Sequence, residues 1–274
     1  MADAGRHARV LILGGTGFIG RNLVTYLVNN DLVHKVTSVS SAFECPDGEF
    51  DYVINLAAET KYGQTNPEAA RRKVPLYIEF SSGQMQSADK KPAKEDTKCE
   101  PWTHLAKHKL EVERELKSMT DLNYIIIRPA IMLWTKDLNM NTVHVNDLCR
   151  AVWHLCNNRK LGETYHVVDT GNTTQGRISE LVSEIFNINH EFLGSIFSNL
   201  AKVNMSNVVE DINEKHMKPW ADACQVDGIA NTPLNPFIDQ ELLYKKNLYM
   251  DGTKLLQTGF TLNYPELTVE SLKQ

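Results

Sequence analysis

A glycine-rich run between an apolar segment and an amphipathic one is the part of this sequence most suited to ligand chemistry. Residues 10–13 are apolar, and GGTGFIG follows them at 14–20. In a strand–turn–helix unit, Gly14 makes the tight turn, Gly17 lets backbone approach a pyrophosphate, and Gly20 lets the helix pack close to the strand. The helix N-terminus offers free N–H groups and a positive dipole end to phosphates. The run therefore predicts a dinucleotide site; the alternative is a glycine-rich turn that binds nothing. The residues expected at the cofactor are Gly14, Gly15, Thr16, Gly17, Phe18, Ile19 and Gly20.

Composition restricts the partners. The 274 residues suffice for one large α/β domain, or for a domain with a cap. The formal net charge of -5 argues against nucleic acid. The sequence lacks both an apolar run of about 20 residues and an N-terminal apolar signal, so no membrane is expected. The five cysteines are odd in number and form no CxxC pair, which predicts a reducing, cytoplasmic location and no zinc site.

The elements that must position these glycines form an alternating pattern. Short apolar runs alternate with amphipathic segments, which predicts an α/β fold with a doubly wound parallel sheet of the Rossmann type. We expect this domain over residues 1–170 and a smaller, mostly helical C-terminal region over 171–274. A strand is also expected at 142–145, before a helix capped by Asp147. The other expected strands are 35–40, 51–58, 76–80, 123–129 and 163–168.

Three connections are too short for this fold. They lie near residues 40–50, 63–75 and 132–134. A parallel crossover takes about a dozen residues or more and usually contains a helix. Two interpretations stay open: chain segments are missing at these three places, which we favour, or the short crossovers are real.

Several motifs in this order resemble the extended short-chain dehydrogenase/reductase superfamily, in its NAD-dependent epimerase/dehydratase branch. The resemblance spans most of the chain and implies a C-terminal region that closes over substrate. Members of the branch act mostly on nucleotide-linked sugars, and also on other alcohols and carbonyls. The motifs are GGTGFIG (14–20), NLAAET (55–60), FSSGQM (80–85), AKHKLEVE (106–113), IIIRPA (125–130), TVHVNDL (142–148), LGETYHVVD (161–169) and YMDGTKLLQTGF (249–260).

The resemblance implies NAD as the cofactor and does not exclude NADP. Such folds usually end the second strand with an acidic residue for the ribose, or place an Arg near a 2′-phosphate. Ser40 and Ser41 occupy that neighbourhood here. The small residues after the third strand are expected to line the cleft, and the end of the fifth strand is expected to lie beside the nicotinamide. These cleft residues are Leu56, Ala57, Ala58 and Pro129.

The family's chemistry, hydride transfer at nicotinamide, uses a Ser/Thr, a Tyr and a Lys, with three residues between the last two. The resemblance places the first on Ser82 and the lysine on Lys107. Thr103 then stands where the family has its tyrosine. An aliphatic hydroxyl is far less acidic than a phenol, whose pKa is about 10. Losing a general acid/base costs about 10²–10⁴-fold in rate, so the usual mechanism is in doubt.

Neighbouring side chains offer alternatives. His104 could replace the tyrosine, but it is rotated by about 100° around the helix from Thr103, and an exposed histidine is favoured. His104 and His108 could share a metal, but no third ligand is indicated. Lys107 either orients ribose hydroxyls, which is favoured, or pairs with Glu111 on a solvated face.

Two classes of function remain. The first is an NAD(P)-dependent epimerase/dehydratase-like oxidoreductase that acts on a nucleotide-sugar-like or other hydroxyl/carbonyl substrate. The second is a catalytically inactive nucleotide-binding or scaffolding subunit of a larger assembly. The glycine loop favours retained nucleotide binding, and Thr103 favours lost or altered chemistry. A homodimer or larger assembly is compatible with both.

Overall fold

A six-stranded parallel sheet forms the centre of the protein. The computed structural model describes residues 8–40, 46, 48–57, 74–86, 91–130, 138–190, 205–230, 236–243 and 246–273. The strand order is β2-β1-β3-β4-β5-β6, which is the doubly wound arrangement that the sequence predicted. The strands are β1 (Arg9–Leu13), β2 (Lys35–Val39), β3 (Tyr52–Asn55), β4 (Leu76–Phe80), β5 (Tyr124–Pro129) and β6 (Glu163–Val167).

Helices surround this sheet and dominate the C-terminal region, as expected. None of the helices in the described ranges combines the length and apolar character that crossing a bilayer requires. Short 3₁₀ segments occupy Gly83–Met85 and Gln240–Leu243. The α-helices are α1 (Phe18–Asn29), α2 (His104–Ser118), α3 (Val145–Asn158), α4 (Gln175–Phe186), α5 (Met205–Val226), α6 (Thr253–Leu256) and α7 (Val269–Leu272).

The strands are apolar on both faces because helices cover both faces. Along β1, Val10 and Ile12 join the core cluster that also contains α1 and α3 side chains. The alternate residues Leu11 and Leu13 join a second cluster with Leu116 of α2. The near-continuous apolar run that predicted this strand therefore reflects two separate packing surfaces.

The predicted strand at 142–145 is wrong. Val145 is instead the first residue of α3, and His144 is its N-cap, accepting a hydrogen bond from the Asn146 N–H at 3.2 Å. Asp147 lies inside the first turn, where its buried carboxylate accepts the backbone N–H groups of Asn263 and Tyr264. A helix start whose cap is a histidine carries no strong sequence signal, since Ser, Thr, Asp and Asn are the usual caps.

The contacts of Asp147 join helix α3 to Asn263 and Tyr264, near the end of the described chain. The expected division at residue 170 stays a prediction. The three short connections, near residues 40–50, 63–75 and 132–134, fall for the most part outside the described residues, which omit 41–45, 47, 58–73 and 131–137. The expectation that segments are missing there also stays a prediction.

A buried ion pair joins α2 to β5. Arg128 donates to both carboxylate oxygens of Glu113, at 2.8 and 2.6 Å, and the Ser81 hydroxyl donates to the same carboxylate at 2.6 Å. Burial raises the pKa of Glu113, but the hydrogen bonds and charge of Arg128 outweigh this and hold that pKa below its usual value. A bidentate arrangement of this kind fixes both position and orientation.

Replacing Glu113 with Gln is expected to lower the free energy of unfolding by about 3–5 kcal/mol, because the Arg128 guanidinium would stay buried without its countercharge. Urea titration followed by circular dichroism measures the change. Glu111→Gln, on the exposed face of the same helix, is the matched control and should change the free energy by less than about 0.5 kcal/mol. Equal effects of the two variants would contradict this account of the pair.

Candidate functional site

The glycine-rich run lies at the carboxyl edge of the sheet, where the strand order reverses. β1 pairs with β2 on one side and with β3 on the other. Open α/β sheets bind ligands in the crevice at such a switch point. The run therefore sits where a ligand is expected.

At two of its glycines, an added Cβ would collide with backbone atoms. Gly14 adopts a φ of 76°, and a Cβ there would lie 2.8 Å from the backbone nitrogen of Ala57. A Cβ at Gly20 would lie 2.4 Å from the Gly14 carbonyl oxygen. The Gly14 and Gly15 N–H groups both donate to the Val39 carbonyl, at 2.9 and 3.1 Å. Gly14 thus makes the tight turn, and Gly20 allows helix and strand to approach closely.

Gly17 differs from these two. A Cβ there would meet the Gly14 carbonyl oxygen at an ordinary 3.4 Å. Gly17 is the N-cap of α1, and its missing side chain leaves the N–H groups of the first turn uncovered. Thr16 is exposed beside it and accepts a 2.6 Å hydrogen bond from Arg21 through its carbonyl. Phe18 is 73% exposed, whereas Ile19 packs on the core.

The residues after the strands next to β1 are those predicted to line the cofactor cleft. Leu56 and Ala57 extend past β3 and are partly exposed, and Leu56 donates its N–H to the Leu13 carbonyl at 2.9 Å. Ala58 lies outside the described residues. Pro129 ends β5, and its carbonyl oxygen lies 2.7 Å from the position a Cβ at Gly83 would take. The ends of β4 and β5 therefore meet beside the residues predicted to be catalytic.

Ser82 and Thr103 are brought together through Gln84. Ser82, which is 1% exposed, accepts the Gln84 N–H at 3.1 Å. Thr103, also 1% exposed, donates to the Gln84 side-chain carbonyl at 2.8 Å and accepts the Ala106 N–H at 3.2 Å. Thr103 is thus the N-cap of α2, and its hydroxyl is occupied as both donor and acceptor.

Lys107 is exposed and lies outside the face of α2 that packs against the rest of the protein. The two histidines that flank it are exposed as well. His104 lies 3.9 Å from Glu241, and His108 lies 3.6 Å from Glu111. Across the described ranges, no group of three side chains is arranged to hold a metal ion.

Lys109 is the residue that sequence reasoning missed. Its side chain is 8% exposed, and its Nζ lies 2.7 Å from Glu79 and 3.3 Å from the Ala57 carbonyl oxygen. The fully buried Glu79 carboxylate also accepts the Asn55 amide at 2.8 Å and the Tyr77 hydroxyl at 2.9 Å. From α2, the Lys109 ammonium therefore reaches the end of β3, where the sequence predicted the wall of the cofactor cleft.

Two sequence signals could have indicated Lys109. It shares the buried face of α2 with Ala106 and Glu113, at helical spacing, whereas Lys107 does not. Glu79 also interrupts an apolar strand, and a buried carboxylate requires a cation. Counting back four residues from Lys109 reaches Leu105, an aliphatic residue, in place of Thr103.

The C-terminal region contributes Met250 to this neighbourhood. Its sulfur lies 2.7 Å from the position a Cβ at Gly83 would take, and its N–H donates to Asn141 Oδ1 at 2.6 Å. The Asn141 amide nitrogen and the indole N–H of Trp102 are buried donors with no hydrogen-bond partner among the residues described. The sequence analysis predicted no role for either of these donors.

No family model and no curated protein sequence matches this chain. Solved structures do match it. A functionally unknown conserved protein from Silicibacter pomeroyi DSS is 12% identical, with a TM-score of 0.68 over 94% of this chain and 95% of that one. The fold is that of the extended short-chain dehydrogenase/reductases.

Two further structures with known ligands share this fold. The human epimerase family protein SDR39U1 (isoform 2), solved with NADPH, is 15% identical over 97% of this chain and 98% of its own, with a TM-score of 0.64. UDP-glucose 4-epimerase from Thermotoga maritima, solved with UDP-glucose, is 15% identical over the same shares, with a TM-score of 0.59. The resemblance inferred from the motifs is confirmed at the level of the fold.

A buried histidine on β6 makes stability depend on pH. The pKa of His166 is lowered to about 4, because burial disfavours the imidazolium ion and the Arg128 guanidinium repels it; the Asp251 carboxylate opposes this in part. The unfolded value is about 6.5. The folded state therefore resists protonation that the unfolded state accepts, and stability must fall as the pH drops from about 6.5 to about 4.

Between pH 7 and pH 4.5, His166 is expected to remove roughly 2–3 kcal/mol from the free energy of unfolding. The His166→Gln variant should lack this decrease in the free energy of unfolding between the two pH values, even if the variant is less stable than the wild type at pH 7. Urea titrations at the two pH values measure it. His108→Gln, at an exposed position, should keep the full loss, and a His166→Gln variant with an unchanged pH dependence would contradict the assignment.

Proposed function

We propose that this chain binds a dinucleotide of the NAD(P) type at the carboxyl edge of its sheet. The supporting observation is the glycine loop. Backbone atoms occupy the space beside Gly14 and Gly20, whereas the space beside Gly17, at the N-terminus of α1, is open. The first-turn N–H groups there are suited to a pyrophosphate. The NADPH in the structure of SDR39U1, which has the same fold, is compatible with this assignment.

We propose that both NAD and NADP are accepted. The residue after β2 is Ser40, whose uncharged hydroxyl would neither repel a 2′-phosphate nor grip a ribose as a carboxylate does. Lys109, in place of Lys107, takes the role of the family lysine in this proposal, because its ammonium is the one at the cleft wall.

The chain acts in this proposal as a nucleotide-binding subunit without the family's tyrosine-dependent hydride transfer. Leu105 precedes Lys109 by four residues and has no proton to exchange. Thr103 is occupied as a helix cap. Such a subunit would function in the cytoplasm, in a homodimer or larger assembly.

A second candidate function is turnover of a nucleotide-sugar-like substrate. The Ser82 hydroxyl accepts a hydrogen bond from Gln84, and it has no acceptor for its own proton among the described residues, so that proton could be donated to a ligand oxygen. The buried donors of Trp102 and Asn141 could serve further ligand oxygens, since such groups are normally satisfied. UDP-glucose is the ligand in the Thermotoga epimerase structure.

Gly17→Ala is expected to weaken NADPH binding about tenfold or more, because its methyl group projects into the space proposed for the pyrophosphate. The free energy of unfolding should change by less than about 1 kcal/mol, since the methyl group meets no close neighbour. Calorimetric titration with NAD⁺, NADH, NADP⁺ and NADPH measures the affinity.

Two variants in the same region serve as controls. Thr25→Ala, on the exposed side of α1, should bind like the wild type. Gly14→Ala should unfold more readily, because of its φ of 76° and its 2.8 Å approach to Ala57. Wild-type protein that binds none of the four dinucleotides would overturn the proposal.

Turnover is the second measurement. With UDP-sugars and NAD⁺ or NADP⁺, we expect no epimerised, dehydrated or oxidised product, because no general acid/base stands four residues before Lys109. Product analysis by mass spectrometry and by reversed-phase chromatography detects each outcome. Turnover that disappears in Ser82→Ala would establish the second candidate in place of the inactive subunit.

A further inference from the structure

The carboxylate of Glu79 in the middle of β4 has no place in the function proposed so far. Its neighbours on the strand, Ile78 and Phe80, are apolar and buried, and Glu79 itself is 0% exposed. A carboxylate in such surroundings is costly unless it is paired and hydrogen-bonded. Its presence therefore requires an explanation from its partners.

Three side chains from separate segments meet at this carboxylate. Asn55 donates to it from the end of β3, Tyr77 from two residues earlier on β4, and Lys109 from α2. Only Lys109 carries a charge, so the group is neutral as a whole. Replacing a buried ion pair by apolar residues is often neutral or stabilising, so stability alone does not account for the pair.

The same residues hold one wall of the proposed cleft. Lys109 donates to the Ala57 carbonyl at 3.3 Å, and Asn55 accepts the Ala57 N–H at 3.1 Å. Glu79 binds both of these side chains, which closes a ring of hydrogen bonds around Ala57. Ala57 in turn packs against Gly14 of the glycine loop. The position of the Lys109 ammonium at the cleft is therefore set by Glu79.

We propose that Glu79 is a positioning residue that holds Lys109 at the cleft and cancels its charge, so that the site does not discriminate between oxidised and reduced nicotinamide dinucleotides on the basis of their charge. This inference rests on the proposed dinucleotide binding. The nicotinamide ring carries a positive charge when oxidised and none when reduced. An uncompensated ammonium at the site would disfavour the oxidised form alone.

The measurement is the ratio of the dissociation constants of NADP⁺ and NADPH, obtained by calorimetric titration at fixed ionic strength. In Glu79→Gln, which leaves the Lys109 charge uncompensated, we expect this ratio to rise about tenfold. In the double variant Glu79→Gln/Lys109→Gln, which carries neither charge, we expect it to stay within about threefold of the wild type.

Asn55→Ala is the matched control within the same ring. It removes the links to Glu79 and Ala57 without changing any charge, so both forms should bind more weakly and the ratio should stay within about threefold of the wild-type ratio. A purely structural role of Glu79 predicts the same equal loss for Glu79→Gln. A larger loss of affinity for NADP⁺ than for NADPH in Glu79→Gln therefore indicates charge compensation.

Equal weakening of both forms in Glu79→Gln would overturn the inference and leave dinucleotide binding intact. If Glu79→Gln does not fold, Lys109→Gln decides: we expect the ratio to fall about tenfold, because the uncompensated Glu79 carboxylate would favour the oxidised form, and an unmoved ratio contradicts the inference. Wild-type protein that binds neither form overturns the proposed function and the inference together.

Discussion

Two buried ion pairs fix the rotation of α2 against the sheet. Lys109 binds Glu79 of β4, and Glu113, one turn further along α2, binds Arg128 of β5. Charges this deeply buried are stable only when paired, so the helix cannot turn about its axis without separating both pairs. Every other position on α2 follows from this constraint, including the outward direction of Lys107.

The rotation of α2 decides what chemistry the cleft can offer. With Lys109 facing the end of β3, the position four residues earlier is Leu105, and Thr103 falls at the helix cap, where it binds Gln84. A hydroxyl that is both donor and acceptor in a cap is not available for proton transfer. In the proposed site, Lys109 would therefore lack the acidic partner that the resemblance implies, which favours the proposal of binding over that of turnover.

Local patterns in the sequence predicted the sheet, the glycine loop and the positions of Ser82 and Pro129 at strand ends. They did not predict the lysine, because Lys107 and Lys109 differ only in which face of one helix they occupy. The deciding partner, Glu79, is 30 residues away in the sequence. The strand predicted at 142–145 failed because the helix that begins there has a histidine cap, and because the partner of Asp147, Asn263, is 116 residues away in the sequence.

The end of β3 connects the two parts of the site. Ala57 packs against Gly14, which belongs to the loop proposed to bind phosphates, and it is hydrogen-bonded to Asn55 and Lys109, which belong to the ion-pair network. In the proposed binding mode, a dinucleotide at this edge would meet uncharged backbone N–H groups from the glycine loop and a compensated charge from Lys109 and Glu79. Affinity would come from the first contact and depend little on redox state, because the second contact presents no net charge to the ring.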